Sequence, residues 1–320
     1  MPRREQPMVP DAEFESYYGR PILKEPTWKT PDVPLYLFLG GLAGGSALLA
    51  EGAALTGRPA LERVARLAAA GGAGAGTVFL VHDLGRPERF LKMLRVFKPT
   101  SPLSVGSFIL APFSGLATAA AGSLVTGWFP RLGRLCGVAA AAFGPPLATY
   151  TAALLANTAV PAWHEAHREL PFVFGGSGAA AAGGLAMALA PCAESAPAVR
   201  MAALGAGVEL AASTAMERRL GMLAEPYREG MPGRLTRVAR GLTVGALALT
   251  AADTAMAATG RRSRVLRALA GTAFVAGSVT LRFAVFEAGR ASARDPKYTV
   301  VPQRERARAR GERKQSGALG

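Results

Sequence analysis

The residues best suited to chemistry begin at His82. An imidazole titrates near neutrality, so His82 can give a hydrogen bond, accept one and take up a proton. Asp83 follows it and could orient the ring or carry the proton onward. Arg86 lies in a Gly-Arg-Pro turn, where the glycine permits the turn and the proline stops the helix, holding the guanidinium at a fixed angle. It could pair with Asp83 or meet an oxygen of a bound molecule. The competing reading is that His82 and Asp83 simply terminate a helix at an interface. The whole stretch His82 to Ser107, HDLGRPERFLKMLRVFKPTSPLSVGS, places six charged side chains in its first fourteen residues. Arg89, Lys92, Arg95 and Lys98 recur every three residues, which predicts one basic face on a surface helix, turned to lipid headgroups or to an acidic partner.

Four carboxylates lie in or beside apolar runs: Glu51, Glu209, Glu217 and Asp253. Each costs a few kcal/mol in hydrocarbon unless paired or protonated. By chain direction Glu217 is nearest the side of the termini, Glu209 is central, and Glu51 and Asp253 lie toward the far side. That order suits a proton relay; local pairing, for instance of Glu217 with Arg282, is the alternative. Tyr150 sits mid-run near a proline pair, where its hydroxyl needs a partner. His164, Glu165 and His167 form an HxxH spacing with one carboxylate, a weak zinc signal, and read better as residues facing an interface or a partner.

The elements that must position these groups are apolar and long. Half of the 320 residues are apolar and only 18% are charged, with the charge gathered between long neutral windows. This is the pattern of a polytopic membrane protein. The net charge of +15 belongs to loops and tails flanking the apolar runs, so nucleic-acid binding is not the reading; membrane lipid is. Two cysteines, Cys136 and Cys192, are too few for an iron–sulfur cluster.

Spans are expected at 34–56, 67–81, 103–125, 135–159, 171–190, 198–216, 238–259 and 265–285. The fourth is expected to be interrupted at Pro145–Pro146. Gly40/Gly44 and Gly41/Gly45 in the first span form small-xxx-small pairs for close helix packing. The GGAGAG run at 71–76 fails as a dinucleotide fingerprint at Thr77 and reads as packing too. The fold class is therefore an all-α integral membrane protein of eight transmembrane helices in two four-helix bundles, both termini on one side. An extended arm (1–32) precedes the membrane domain (33–288), and a basic, disordered tail (289–320) follows. Lys and Arg weight the terminal side, chiefly through the tails, which makes it cytoplasmic by the positive-inside tendency.

Three stretches together, PLYLFLGGLAGGS (34–46), HDLGRPERFLKMLRVFKPTSPLSVGS (82–107) and YTAALLANTAVPAWHEAHRELPF (150–172), resemble the NrfD/polysulfide-reductase membrane-subunit family. The resemblance covers spans one to five closely and the last three mainly by number and length. It implies a multi-pass plasma-membrane anchor that binds quinone or quinol and docks a ferredoxin-like iron–sulfur subunit. Through that subunit it exchanges electrons with a molybdopterin catalytic subunit. It implies no haem and no cluster in this chain and no catalysis by the chain alone. On it, His82, Asp83, Arg86 and Tyr150 become the expected quinone-site residues, with His82 and Asp83 at the reacting oxygens. Two other readings stand beside this one: a secondary transporter or proton channel built on the four carboxylates, and a purely structural anchor.

Overall fold

The computed structural model describes residues 22–85, 88–261 and 263–306. Among these residues there is no strand, and eight helices have twenty residues or more: α1 (Asp32–Leu55), α2 (Pro59–Asp83), α3 (Pro102–Thr126), α4 (Pro130–Ala156), α5 (Leu170–Leu189), α6 (Ala196–Arg219), α7 (Gly230–Ala258) and α8 (Arg264–Arg294). At 1.5 Å per residue each is long enough for the ~30 Å hydrocarbon layer. Seven are also apolar enough to cross it. The exception is α6, which carries Arg200, Glu209, Glu217, Arg218 and Arg219. The protein is thus an all-helical, multi-pass membrane protein, with the expected sixth span present as a helix but short of the apolarity of the rest.

Proline starts many of these helices. α2, α3, α4, α5 and α6 have it at the first or second position, where a missing N–H costs no hydrogen bond. Gly127, with φ of 75°, closes α3. Inside α4 the expected interruption does not occur. The helix runs unbroken through Pro145 and Pro146, whose rings are exposed and point away from the packed side. On that packed side Gly144 lies against Gly44 of α1.

Two boundaries also move. Residues 289–306, expected within a disordered tail, are ordered instead: α8 continues to Arg294 and a further helical segment covers 297–306, and the rest of the expected tail lies outside the described residues. The reason is burial: Ser292, Ala293 and Tyr298 are all covered, which an unstructured tail would not achieve. The surface helix expected over 89–98 is only Glu88–Met93. Beyond it the chain turns back, with Ser104 Oγ accepting from the Lys98 N–H at 3.0 Å and donating to the Val96 carbonyl at 3.2 Å, so α3 can start at Pro102.

α1 sits in the middle, packed on α2, α4, α5 and α8, while α3 and α7 lie further out. Glycine makes this possible. A Cβ on Gly44 would lie 2.3 Å from the Gly144 carbonyl oxygen, and one on Gly45 3.0 Å from that of Gly178. The two small-xxx-small pairs therefore serve different faces, with Gly44 on α4 and Gly41 and Gly45 on α5. The glycine run at 71–76 is helical, and Gly72 packs on Leu39 and Ala43 of α1.

Both ends of the described chain meet at one end of the bundle. Trp28 of the arm stacks on Trp163 with ring centroids 5.7 Å apart. Trp163 is fully buried and donates from its indole N–H to the Val285 carbonyl of α8 at 2.8 Å. Glu25 pairs with Arg294.

Gly44→Ala should destabilise the protein by about 1–3 kcal/mol, since neither backbone can retreat. Gly52→Ala, at a helix position with open space around it, should be neutral or slightly stabilising. Thermal unfolding of the two variants in detergent, read by circular dichroism, distinguishes them; equal midpoints would contradict the packing described.

Candidate functional site

His82 lies in the last turn of α2 and Asp32 in the first turn of α1. Their contact is the centre of the site. His82 Nδ1 is 2.7 Å from Asp32 Oδ2, with the carboxylate 7% and the imidazole 72% exposed. With the carboxylate as acceptor, Nδ1 carries the proton, and among the described residues Nε2 has no partner. His82 also lines an open, mainly apolar hollow of about 400 Å³, together with Thr77, Val78, Val81 and Gly85. Asp32 is well placed for its charge, because a carboxylate in a first helical turn meets the positive end of the helix dipole.

Asp83 does not orient the ring. Successive helical residues point about 100° apart, and Asp83 is turned to the arm instead. Its Oδ1 accepts from the Lys29 backbone N–H at 2.8 Å, and the Lys29 ammonium reaches the His82 carbonyl at 3.5 Å. The expected orienting role therefore passes to Asp32. The sequence held one signal for this, a carboxylate at the mouth of the first apolar run, but the residue was assigned to the arm.

Arg86 lies outside the described residues, as does the side chain of Arg89. Tyr150 is buried in α4 with its ring against Gly106 of α3, and it is not among the residues lining the hollow. Lys92, Arg95 and Lys98 are exposed. His164 and His167 occupy the short helical turns 161–168, with Nδ1 atoms 3.0 Å from the carbonyls of Ala156 and His164.

Of the four membrane carboxylates, three have arginine partners. Glu51 is 2.7 Å from Arg66, which also bonds Glu62 at 2.8 Å. Glu217 pairs with Arg240 at 2.5 Å and Arg228 at 3.3 Å, rather than with Arg282. Asp253 pairs with Arg267, which further bonds Ser195 and the Cys192 carbonyl. Glu209 differs. It is 3% exposed, accepts a hydrogen bond from Thr243 at 3.1 Å and has the Ser177 hydroxyl beside it, and its Oε2 has no close partner among the described residues.

The end of the bundle that holds His82 is dense in ion pairs. Glu169 binds Arg219 through two contacts of 2.5 Å, joining the start of α5 to the end of α6. Glu225 pairs with Lys297 at 2.8 Å, and Arg306 with Glu165 at 2.8 Å. The segment 297–306 is thereby fastened over the turns that hold His164.

Residues 24–213, more than half of the chain, match the family model described as polysulphide reductase, NrfD, and the chain belongs to that family. Its members are membrane subunits of molybdopterin oxidoreductases, which implies association with iron–sulfur and molybdopterin subunits. No curated protein sequence matches the chain.

The Arg219 guanidinium beside Glu169 holds that carboxyl below the usual glutamate range. A depressed folded-state value means the pair stabilises above the unfolded glutamate pKa and loses this contribution as pH falls through the folded value. Glu169→Gln should therefore lower the unfolding temperature near neutral pH while flattening its acid limb. A wild-type and variant difference that stayed constant from neutral to acid pH would exclude this coupling.

Proposed function

We propose that this member of the NrfD family is the membrane-anchoring, quinone- and quinol-binding subunit of its complex, exchanging electrons between the membrane pool and an iron–sulfur partner. The observation that carries the reading is the His82–Asp32 pair, set at the end of two spans with an exposed imidazole that lines an apolar hollow. A quinone needs this combination: an apolar wall for its ring and tail, and a polar group that meets an oxygen and handles its proton.

The chain's residues divide that work. His82 Nε2 accepts a hydrogen bond from a quinol hydroxyl and then its proton, as general base. Asp32 fixes the ring with Nδ1 protonated and offsets the positive charge that the imidazole acquires. In the reverse direction the protonated ring donates to a quinone oxygen. Val78 and Val81 supply apolar contact along α2. Asp83 and Lys29 anchor the arm over the end of α2, which keeps the His82 backbone in register with Asp32. The electrons leave through the polar end of the bundle, where the ion-paired turns around His164 and Glu225 form the face offered to an iron–sulfur partner. Such a chain performs no net reaction alone. The transporter alternative loses support from the pairing of Glu51, Glu217 and Asp253 with arginines.

Titration of the purified protein in nanodiscs with a quinone-headgroup inhibitor tests this. Wild type should bind, and both His82→Ala and Asp32→Asn should weaken binding about tenfold or more, the loss of one charge-assisted hydrogen bond. Unchanged affinity in both variants, with unfolding temperatures intact, would overturn the site.

A further inference from the structure

At mid-depth the second half of the bundle encloses a polar cluster that the quinone reading does not use. Arg282 of α8 is completely buried. Its Nη2 donates to the Phe174 carbonyl at 2.8 Å and its Nε to the Leu37 carbonyl at 3.4 Å, and its guanidinium lies 3.8 Å from the Phe174 ring centroid. Nη1 has no partner. Glu209 of α6 lies within electrostatic reach of that guanidinium but outside ion-pair distance, and its Oε2 is likewise unpartnered. Ser177, Ser278 and Thr243 complete the cluster; Ser177 donates to Ser278 at 2.8 Å. All five side chains are less than 4% exposed.

Two opposite groups, each with one unpartnered atom, would carry a large desolvation penalty in a dry interior. A gap wider than a direct ion pair and lined by polar atoms is where buried water resides, making two to four hydrogen bonds. The orphaned atoms also have a direction. Ser213, one turn from Glu209 on the same face of α6, is buried with its hydroxyl unpartnered, and Glu217 follows one turn later at the His82 end. On the opposite side apolar side chains come between: Ala246, Ala270 and Phe274, each 1% exposed or less, lie along α7 and α8 between the cluster and Asp253 and Arg267.

We propose that internal water runs from Glu217 past Ser213 to Glu209 and Arg282 and stops there, forming a proton well open only to the His82 end, with Glu209 as the group that exchanges the proton. Arg282 is the fixed charge facing Glu209, and Arg228 and Arg240 flank Glu217 at the mouth. The well is separate from the His82 site and stands whether or not quinone binds there.

Infrared difference spectroscopy on the full chain in nanodiscs provides the test. Between acid and alkaline buffer, wild type should show a carboxylic-acid C=O band that is absent from Glu209→Gln and that shifts in D2O within the buffer-exchange time. Ser213→Val, which replaces the hydroxyl with two methyl groups, should retain the band while slowing its exchange roughly tenfold, or about 1.4 kcal/mol of barrier. A wild-type band that neither titrates nor exchanges over hours means a dry cluster and overturns the proposal. So does a spectrum identical to that of Glu209→Gln, and exchange at the wild-type rate in Ser213→Val overturns the route. Should Glu209→Gln fail to fold, the rate comparison of wild type with Ser213→Val decides alone.

Discussion

The close approach of α1 to its neighbours is the constraint on which the rest depends. In lipid no hydrophobic force draws helices together, so packing must come from surfaces that fit and from backbones that touch. α1 supplies both. Gly44 meets Gly144 of α4, and Gly41 and Gly45 meet Gly178 of α5, so one helix joins the two halves of the bundle at backbone distance. The start of α1 is positioned by these contacts. Asp32 is its first residue, and an imidazole held at 2.7 Å by a carboxylate is only as well placed as the helix that carries the carboxylate. Packing at mid-membrane therefore sets the geometry of the His82–Asp32 pair at the surface.

Buried charge is handled in two ways. Near the bundle ends, Glu51, Glu217 and Asp253 are neutralised by arginines from neighbouring turns, helices or loops. Gly137 shows how tightly one such pair is enclosed: a Cβ there would be 2.0 Å from Arg66 and 2.3 Å from Glu51. In the middle, Arg282 and Glu209 are not brought into direct contact, and carbonyls, hydroxyls and an aromatic face share their stabilisation. Replacing a buried ion pair with apolar residues often costs nothing, so stability alone does not account for retaining separated charges.

Much of this was legible in the sequence, and the exceptions have physical causes. Span positions followed from apolar runs, and the roles of Gly40, Gly41, Gly44 and Gly45 from their spacing, because one-dimensional pattern specifies one helix face. Asp32 was missed because a residue at an element boundary has no periodicity to declare its direction. Asp83 was given the ring-orienting role by adjacency, although adjacency in a helix separates side chains. Pro145 and Pro146 looked like a break because sequence does not show that the packed side lies at Gly144, between them and α1. Pairings such as Glu217 with Arg240 join residues on different helices, a relation that only the packing reveals.

The composition of α6 bears on how the protein is made. With Arg200, Glu209 and Glu217 along its length, this helix would partition weakly from the translocon into lipid as an isolated segment. What settles Glu209 comes later in synthesis: Thr243 from α7, then Arg282 from α8. α6 must therefore wait, held against α5 through the glycine contact of Gly176 and Gly205, until the last helix emerges. Membrane insertion of the second half is in this sense a single cooperative event, and a ribosome that stops before α8 leaves a nascent chain whose sixth helix has no stable place in the bilayer.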